Sequence, residues 1–340
     1  MTHAIRIVQT GGPEVLRLEA VELGDPGPGE AHLRHHAIGL NYIDVYHRSG
    51  VYPLPLPSGI GLEGAGVVER VGPGVSDIHP GDRVAYAGGP VGAYAEERVM
   101  PADRLVKLPA GVWFEQAAAM MLKGLTAQYL LRRTYRVQAG DTILVHAAAG
   151  GVGLILCQWA KMLGATVIGT VGSDEKATLV QALGCDHPIV YTRENVVERV
   201  KAITGGEGVP VVYDSVGKDT FMDSLSCLRP LGMMVSYGNA SGTVPPFDIG
   251  LLAKLGSLFL TRPTLFAYTA KRADLLAMAA ELFDVVHAGK VKIEVNQRYA
   301  LRDAAQAHRD LEARRTTGST VLLPDVVTPV VINDPLAGTI

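Results

Sequence analysis

The chain has 340 residues, a length that suggests two domains with ample core. Hydrophobic residues make up 48% and charged residues 19%, an ordinary balance for a globular protein, and the net charge is −3. Because dense runs of Lys and Arg are absent from the sequence, neither nucleic acid nor an anionic membrane is an expected partner.

Targeting and redox signals point to the cytoplasm. The first residues show no signal-peptide pattern, and no apolar stretch reaches membrane-spanning length. The cysteines are Cys157, Cys185 and Cys227, too few for a disulfide scaffold. We therefore expect a cytoplasmic protein without membrane contact, and we expect Cys157 to be a core residue.

The first 120 residues consist of short strand-like runs separated by turn residues. Turn signals of the Gly-Pro and Pro-Gly type occur at 11–13, 25–29, 72–74 and 80–82. Such spacing predicts an all-β or barrel-like unit. The glycine-dense segment 59–68 indicates close backbone packing at a barrel corner.

A second pattern follows, in which strands and helices alternate. A helix is predicted over 114–133, and six buried strands follow at 141–145, 165–171, 188–191, 209–214, 233–238 and 257–261. This alternation predicts a doubly wound parallel sheet, so the fold class is α/β. An amphipathic helix at 271–289, a strand, a helix at 302–314 and a last strand lead to a loosely held tail.

A glycine-rich turn joins the first two of these strands through a helix. Residues 145–153 read V-H-A-A-A-G-G-V-G, with Ala148 where a dinucleotide fingerprint has its first glycine. The glycines let the backbone approach a pyrophosphate at Gly150, Gly151 and Val152, and the helix N-terminus supplies N–H donors. The strand and helix context favours this interpretation over a ligand-free turn.

The end of the next strand favours NADPH over NADH. Dinucleotide folds that prefer NADH place an acid there, whereas this chain has Gly172-Ser173. Ser173 and Lys176 can hold a 2′-phosphate by hydroxyl and by charge, with Tyr191 within reach. Ser173 can also be the N-cap of a helix with a solvated face, and both roles can hold at once, because a helix N-terminus is also where a phosphate binds. Asp174 would repel the phosphate if its side chain pointed into the pocket.

Several segments together resemble the medium-chain dehydrogenase/reductase superfamily, and within it the zinc-independent NADPH:quinone oxidoreductases of the zeta-crystallin-like branch in its bacterial form. The segments that carry the resemblance are 41–50, 114–119, 123–126, 146–153 and 212–217. The resemblance covers residues 1 to about 324.

The resemblance implies a domain organisation. A discontinuous catalytic domain built on a chaperonin-10-like (GroES-like) β-barrel comprises 1–124 and 265–324. An NADPH-binding Rossmann domain occupies 125–264, and 325–340 form a C-terminal extension. The cofactor lies in the cleft between the domains, and a homodimer forms through the sheet edge near 256–262.

The zinc ligands of the alcohol dehydrogenases in this superfamily are missing. Asn41 and Leu62 stand at the places of a Cys and a His ligand, and leucine cannot bind zinc. Glu63 is expected to be a buried acid with a structural partner. We expect no metal, which makes quinones and activated enones more suitable acceptors than simple ketones.

Five residues are predicted to be catalytic. Asn41 can donate a hydrogen bond to an acceptor oxygen, and Asp44, three residues on, is expected to orient the nicotinamide ribose or Tyr46. Tyr46 and Tyr52 can stack on a flat ring or donate a phenolic hydrogen bond. Arg262 can stabilise negative charge on a reduced quinone oxygen. As alternatives to these catalytic roles, Tyr52 is an ordinary half-buried packing residue, and Arg262 forms an ion pair at the dimer edge.

The resemblance extends the expected cofactor site to positions throughout the chain. These are Asn41, Tyr46, Lys123, Thr126, Gly150, Gly151, Val152, Gly172, Ser173, Lys176, Tyr191, Ser215, Gly217, Tyr237, Gly238, Asn239, Leu260, Thr261 and Ser319.

The predicted function is NADPH-dependent reduction of quinones by hydride or electron transfer to a flat conjugated acceptor. One alternative is an NADPH-dependent reductase of enones or 2-alkenals. Another is a non-catalytic NADPH-binding protein of the crystallin-like or RNA-binding kind. Mild acidity and the lack of a basic, aromatic stripe argue against RNA.

Overall fold

The structure, a computed structural model, describes residues 1–324, and the extension predicted at 325–340 lies outside the described residues. Its first part is rich in strands, as the turn spacing predicts. The elements are β1 (Thr2–Ile7), β2 (Arg17–Val21), β3 (Glu30–Leu40), α1 (Tyr42–Ser49), β4 (Ser58–Gly59), β5 (Glu63–Val71), β6 (Arg83–Ala87), β7 (Glu97–Pro101) and β8 (Val106–Lys107).

The middle of the chain alternates between helix and strand. Its elements are α2 (Phe114–Tyr129), β9 (Thr142–Val145), α3 (Gly151–Met162), β10 (Thr166–Val171), α4 (Asp174–Ala182), β11 (His187–Val190), α5 (Val196–Ile203), β12 (Val209–Asp214), α6 (Phe221–Cys227), β13 (Leu228–Ser236), α7 (Gly250–Lys254) and β14 (Phe259–Thr261). The strands form one parallel sheet in the order β11-β10-β9-β12-β13-β14. The strand order reverses direction at β9, as in doubly wound folds.

The last part returns to the first sheet. It contains α8 (Leu265–Tyr268), α9 (Arg272–His287), β15 (Val295–Ala300), α10 (Ala304–Glu312) and β16 (Ser319–Leu323). β16 pairs antiparallel with β3, which completes a sheet in the order β15-β16-β3-β5-β6-β8 with β7 also on β3. β2, β1 and β4 form a small separate sheet. The predicted fold class, a Rossmann-type sheet beside a GroES-like barrel, is confirmed.

Close packing explains the glycines of β5. A Cβ atom added to Gly66 would lie 1.9 Å from the carbonyl oxygen of Arg34 on the neighbouring β3. No side chain fits at that distance, so only glycine lets the two strands approach and bend together. The close packing predicted from the glycine-dense segment therefore lies where β5 pairs with β3, beside the register shift between His35 and Ala37.

The helix α2 connects the two sheets. Its buried side chains, among them Met121 and Leu125, share one hydrophobic cluster with Ala65 of β5 and Val145 of β9. The domain boundary predicted after residue 124 lies within this helix and stays a prediction. Cys157 is fully buried in α3, as predicted.

Within residues 1–324, no helix combines the length and apolar character that crossing a membrane requires.

Candidate active site

A cleft of about 980 Å³ opens at the carboxyl ends of the parallel strands. Its walls come from the start of α1, the middle of α2, the turn before α3 and the segments after β10, β12, β13 and β14. Ligands of doubly wound sheets bind at this edge, and the volume lies at the upper end for small-molecule sites. The cleft has room for a dinucleotide and a second ligand.

The glycine-rich turn forms the floor of the cleft. Gly150 is the N-cap of α3, and the left-handed residue of the turn is Ala147, with φ of 51°. Ala148 is fully buried, and its methyl group lies 2.8 Å from the place where a Cβ on Gly169 would stand. The alanine in the fingerprint is therefore accommodated by a glycine on β10.

Two cations meet at one end of the cleft. The Lys176 ammonium donates to the carbonyl oxygen of Arg314 at 2.9 Å, and the Arg314 guanidinium donates to the Tyr191 hydroxyl at 3.3 Å. Burial and the charge of Arg314 lower the pKa of Lys176. All three residues line the cleft, so this end suits an anion. Arg314 was missed by sequence reasoning because it lies 138 residues from Lys176.

The acid beside this end is neutralised. The Asp174 carboxylate accepts from both terminal nitrogens of Arg193, at 2.7 and 2.6 Å, and it lies outside the lining of the cleft. Ser173 is the N-cap of α4, and its hydroxyl accepts from the backbone N–H of Lys176 at 3.4 Å. Ser173 lies outside the lining, so its role as N-cap is observed and its phosphate contact stays a prediction.

A buried carboxylate organises the centre of the cleft. Glu63 Oε1 accepts from the backbone N–H of Leu122 at 2.7 Å. Its Oε2 accepts from Asn41 Nδ2 at 2.7 Å and from Lys123 Nζ at 3.2 Å. Glu63 is fully buried, and a Cβ on Gly39 would lie 2.1 Å from Oε2. Glu63 is thus the buried, partnered acid that the sequence predicts.

These residues do not fit a zinc ion. The Asn41 amide and the Lys123 ammonium already occupy the Glu63 carboxylate, and Leu62 presents only carbon. Zinc requires three or four nitrogen, sulfur or oxygen ligands, and an ammonium in the same place opposes a cation. In the described chain, no group of three or more His, Cys, Asp or Glu side chains is placed to hold a metal.

Asp44 does not face the cleft, which corrects the predicted contact with the nicotinamide ribose. Its Oδ2 accepts from the backbone N–H of Asn41 and from the Tyr94 hydroxyl, both at 2.9 Å. Asp44 is the third residue of α1, and a side chain there turns back to the N-cap. Behind it, Tyr94 contacts His308 at 3.1 Å, and His308 contacts Arg48 at 3.3 Å.

Asp44 is expected to make the stability of the protein depend on pH. Burial raises the pKa of its carboxyl from 3.8 to about 7. Between about pH 4 and 7 the unfolded chain loses this proton while the folded chain keeps it. The free energy of unfolding therefore falls as pH rises through this range, by about 4 kcal/mol in total. Above pH 7 it levels off.

Urea unfolding of the native protein and of Asp44→Asn at a series of pH values measures this contribution. The difference between the two curves isolates Asp44, because the buried His308, whose pKa burial lowers to about 3, is common to both. Parallel curves from pH 4 to 8 would show that Asp44 does not titrate in this range.

Two tyrosines form the other end of the cleft. The Tyr46 hydroxyl accepts from the backbone N–H of Asn239 at 2.8 Å. The Tyr52 hydroxyl accepts from Arg262 Nη2 at 2.9 Å and from Asn239 Nδ2 at 3.4 Å. The two rings meet edge to face, with centroids 5.1 Å apart. His47, which the sequence reasoning missed, also lines this end, and its Nδ1 is buried without a partner within residues 1–324.

The cleft brings together most of the predicted site residues. Those that line it are Asn41, Tyr46, Tyr52, Lys123, Thr126, Gly150, Gly151, Val152, Gly172, Lys176, Tyr191, Ser215, Tyr237, Gly238 and Arg262. Five predicted cofactor contacts besides Ser173 lie outside the lining, namely Gly217, Asn239, Leu260, Thr261 and Ser319.

The physical reasons for these five differ. The Gly217 N–H donates to Asp214, and the Ser319 hydroxyl donates to the carbonyl oxygen of Ala119. Leu260 and Thr261 belong to β14. The residue that follows this strand, Arg262, lines the cleft in their place. Asn239 donates hydrogen bonds to the Tyr46 and Tyr52 hydroxyls instead of lining the cleft itself.

Comparison with known proteins places this architecture. Residues 27–110 match the family model "Alcohol dehydrogenase GroES-like domain", and residues 151–282 match "Zinc-binding dehydrogenase". A quinone oxidoreductase of Pseudomonas aeruginosa is 57% identical, over 95% of this chain and 100% of the relative. A 2-haloacrylate reductase of Burkholderia is 48% identical, over 95% and 99%.

A solved structure extends the likeness to three dimensions. The crystal structure of Escherichia coli quinone oxidoreductase complexed with NADPH superposes with a TM-score of 0.94 at 50% identity, covering 95% of this chain and 100% of that one. The family resemblance is thus confirmed, although one matching model is named for zinc and the zinc ligands are replaced here. This chain belongs to the zinc-independent quinone oxidoreductase family of the medium-chain dehydrogenases/reductases.

Proposed function

We propose that this protein reduces quinones with NADPH, by hydride or electron transfer to a flat conjugated acceptor and without a catalytic metal. The observation that carries the proposal is the order of groups along one cleft. Lys176 and Arg314 lie at one end of the cleft, and the glycine-rich turn lies in the middle. Tyr46 and Tyr52 lie at the other end. The curated relative named quinone oxidoreductase and the E. coli complex with NADPH support the same activity and cofactor.

The cation pair and the glycine-rich turn are the parts that fit the cofactor. Lys176, Tyr191 and Arg314 hold the 2′-phosphate, since they offer two positive charges and a hydroxyl. The N-terminus of α3 at Gly150 and Gly151 holds the pyrophosphate. The bound cofactor supplies the reducing equivalents, and the other contacts position it.

The tyrosine end receives the acceptor. Tyr46 and Tyr52 already accept hydrogen bonds from Asn239 and Arg262, so their own hydroxyl protons are available to a ligand. One N–H of Asn41 is taken by Glu63, which leaves at most the other for an acceptor oxygen. Donors placed where negative charge develops stabilise the transition state, and this is the role of Tyr52 and Arg262.

An acceptor screen tests the function. We expect NADPH oxidation, followed by absorbance, with 1,4-benzoquinone and with 9,10-phenanthrenequinone. When NADH replaces NADPH, the reduction of both quinones should be much slower. Turnover of a 2-alkenal but of no quinone would make the protein an enone reductase, the alternative that shares this cleft. Tight binding of NADPH with no turnover of any acceptor would make it a non-catalytic binder.

The protein is also proposed to form a homodimer through β14, near residues 256–262. β14 is the last strand of the parallel sheet, and Phe259 and Leu260 on it are exposed. A strand edge with exposed apolar side chains is a template for pairing with a second copy. Sedimentation should give a dimer for the native protein and a monomer for Phe259→Lys combined with Leu260→Lys. A native monomer at micromolar concentration would contradict this assembly.

A cytoplasmic location remains part of the proposal. All three cysteines are free and buried, so the fold is compatible with a reducing compartment. Cell fractionation tests this location.

A further inference from the structure

The tyrosine end of the cleft has a surplus of hydrogen-bond donors. The Tyr46 hydroxyl accepts from Asn239, and the Tyr52 hydroxyl accepts from Asn239 and Arg262. Within residues 1–324, neither hydroxyl proton has an acceptor, and Tyr46 is only 7% exposed. Two polar groups that face a cleft with unused donor capacity indicate a ligand rich in acceptor oxygens.

Arg262 adds a positive charge without a carboxylate partner. Its guanidinium donates to two neutral groups, the Tyr52 hydroxyl at 2.9 Å and the carbonyl oxygen of Pro263 at 3.4 Å. No ion pair joins Arg262 to an acid in the part of the chain that the structure describes. The arginine has five N–H groups, so several remain for a ligand.

The acids of the cleft lie elsewhere. Glu194 pairs with Arg199 at 3.0 Å, and Asp219 and Asp223 belong to the wall formed after β12. The residues that follow Arg262 in the chain and line the cleft with it, Pro263, Thr264, Leu265 and Phe266, carry no acid. Arg262 is exposed, so its attraction for an anion depends on close contact and weakens as salt rises.

We propose that Arg262, Tyr46 and Tyr52 form a subsite for a carboxylate or sulfonate group on a flat conjugated acceptor. The preferred substrates are then quinones or enones that carry an acidic substituent, rather than neutral ones. This inference rests on the proposed function, since it assigns the acceptor class of the same cleft. It differs from charge stabilisation in the transition state because the ligand's anion is present before any reaction.

Binding of two matched, unreactive ligands to the protein loaded with NADP⁺ tests the subsite. 2-Naphthalenesulfonate and 2-naphthalenesulfonamide have nearly the same shape and differ in charge. Calorimetry should show the sulfonate bound about tenfold or more tightly than the sulfonamide, with the preference shrinking as salt rises. Equal affinities in the native protein would overturn the proposal.

Variants assign the preference to Arg262. Arg262→Gln should abolish the preference, Arg262→Lys should keep part of it, and Arg136→Gln, an exposed arginine outside the cleft, should leave it intact. A thermal melt confirms that each variant is folded. If folded Arg262→Gln keeps the full preference, or loses NADP⁺ affinity by the same factor instead, the subsite is not there.

Kinetics separates this inference from the proposed function. With 1,4-naphthoquinone and its 2-sulfonate, the native protein should show a lower KM for the sulfonate. Turnover of both quinones with equal KM would overturn the anion subsite and leave quinone reduction standing. A retained sulfonate preference in binding, with no NADPH oxidation by either quinone, would overturn quinone reduction alone.

Discussion

Replacing Lys176 and Arg314 together by alanine is expected to weaken NADPH binding about 100- to 1000-fold while leaving NADH binding nearly unchanged. The Lys176 ammonium donates to the backbone carbonyl of Arg314, and both residues line the same end of the cleft, whereas Asp174 pairs with Arg193 outside it. NADH lacks the 2′-phosphate, so it loses nothing when these cations are removed.

Direct titration with both nucleotides measures this effect. Each single variant should lose about 10- to 100-fold, and the pair should fall short of the product because the two residues are in contact. Lys161→Ala with Lys201→Ala removes two exposed charges outside the cleft and serves as the control. An equal loss of NADH affinity would place the cations on another part of the nucleotide.

Removing the charge of Glu63 is expected to destabilise the protein by about 3 to 5 kcal/mol. In Glu63→Ala, the Lys123 ammonium, the Asn41 amide and the Leu122 N–H all lose their acceptor in a buried place. A buried charge without a partner is much less stable than the intact pair, so the loss should exceed that of an ordinary surface variant.

The same strand offers a matched comparison. Glu69 also lies on β5 but is only half-buried, and it accepts from Arg34 at 2.8 Å. Glu69→Ala should lower the free energy of unfolding by less than about 1 kcal/mol. Urea unfolding of both variants, and of Glu63→Ala combined with Lys123→Met, which should recover part of the loss, measures the contribution. Equal losses of unfolding free energy in the two variants would show that the Glu63 carboxylate contributes no more to stability than that of Glu69.

The parts of the site that follow a regular local pattern could be predicted from sequence. The turn at Gly150 lies between a buried strand and a helix, and that order by itself places it at the carboxyl edge of the sheet. Lys176 and Tyr191 follow the next two strands, so they reach the same edge. These predictions depend only on the rule that parallel strands end together.

The sequence could not predict side-chain direction or contacts between distant chain segments. The spacing of Asn41 and Asp44 indicates one helical face, yet the capping geometry turns Asp44 into the interior. Arg314 reaches the cation end because the segment between α10 and β16 returns past α4, a path that no local pattern encodes. His47 had no partner motif to distinguish it from a packed aromatic residue.

The pairing of β16 with β3 has a consequence for biosynthesis. The ribosome releases β3 early, and β7 soon pairs with its first residues, but the strand that pairs with Ile38, Gly39 and Leu40 at its end is made almost 280 residues later. By then all six strands of the parallel sheet have left the exit tunnel and can pair with one another. The parallel sheet can therefore assemble during translation, whereas the last three paired residues of β3 stay uncovered on that edge until β16 is made.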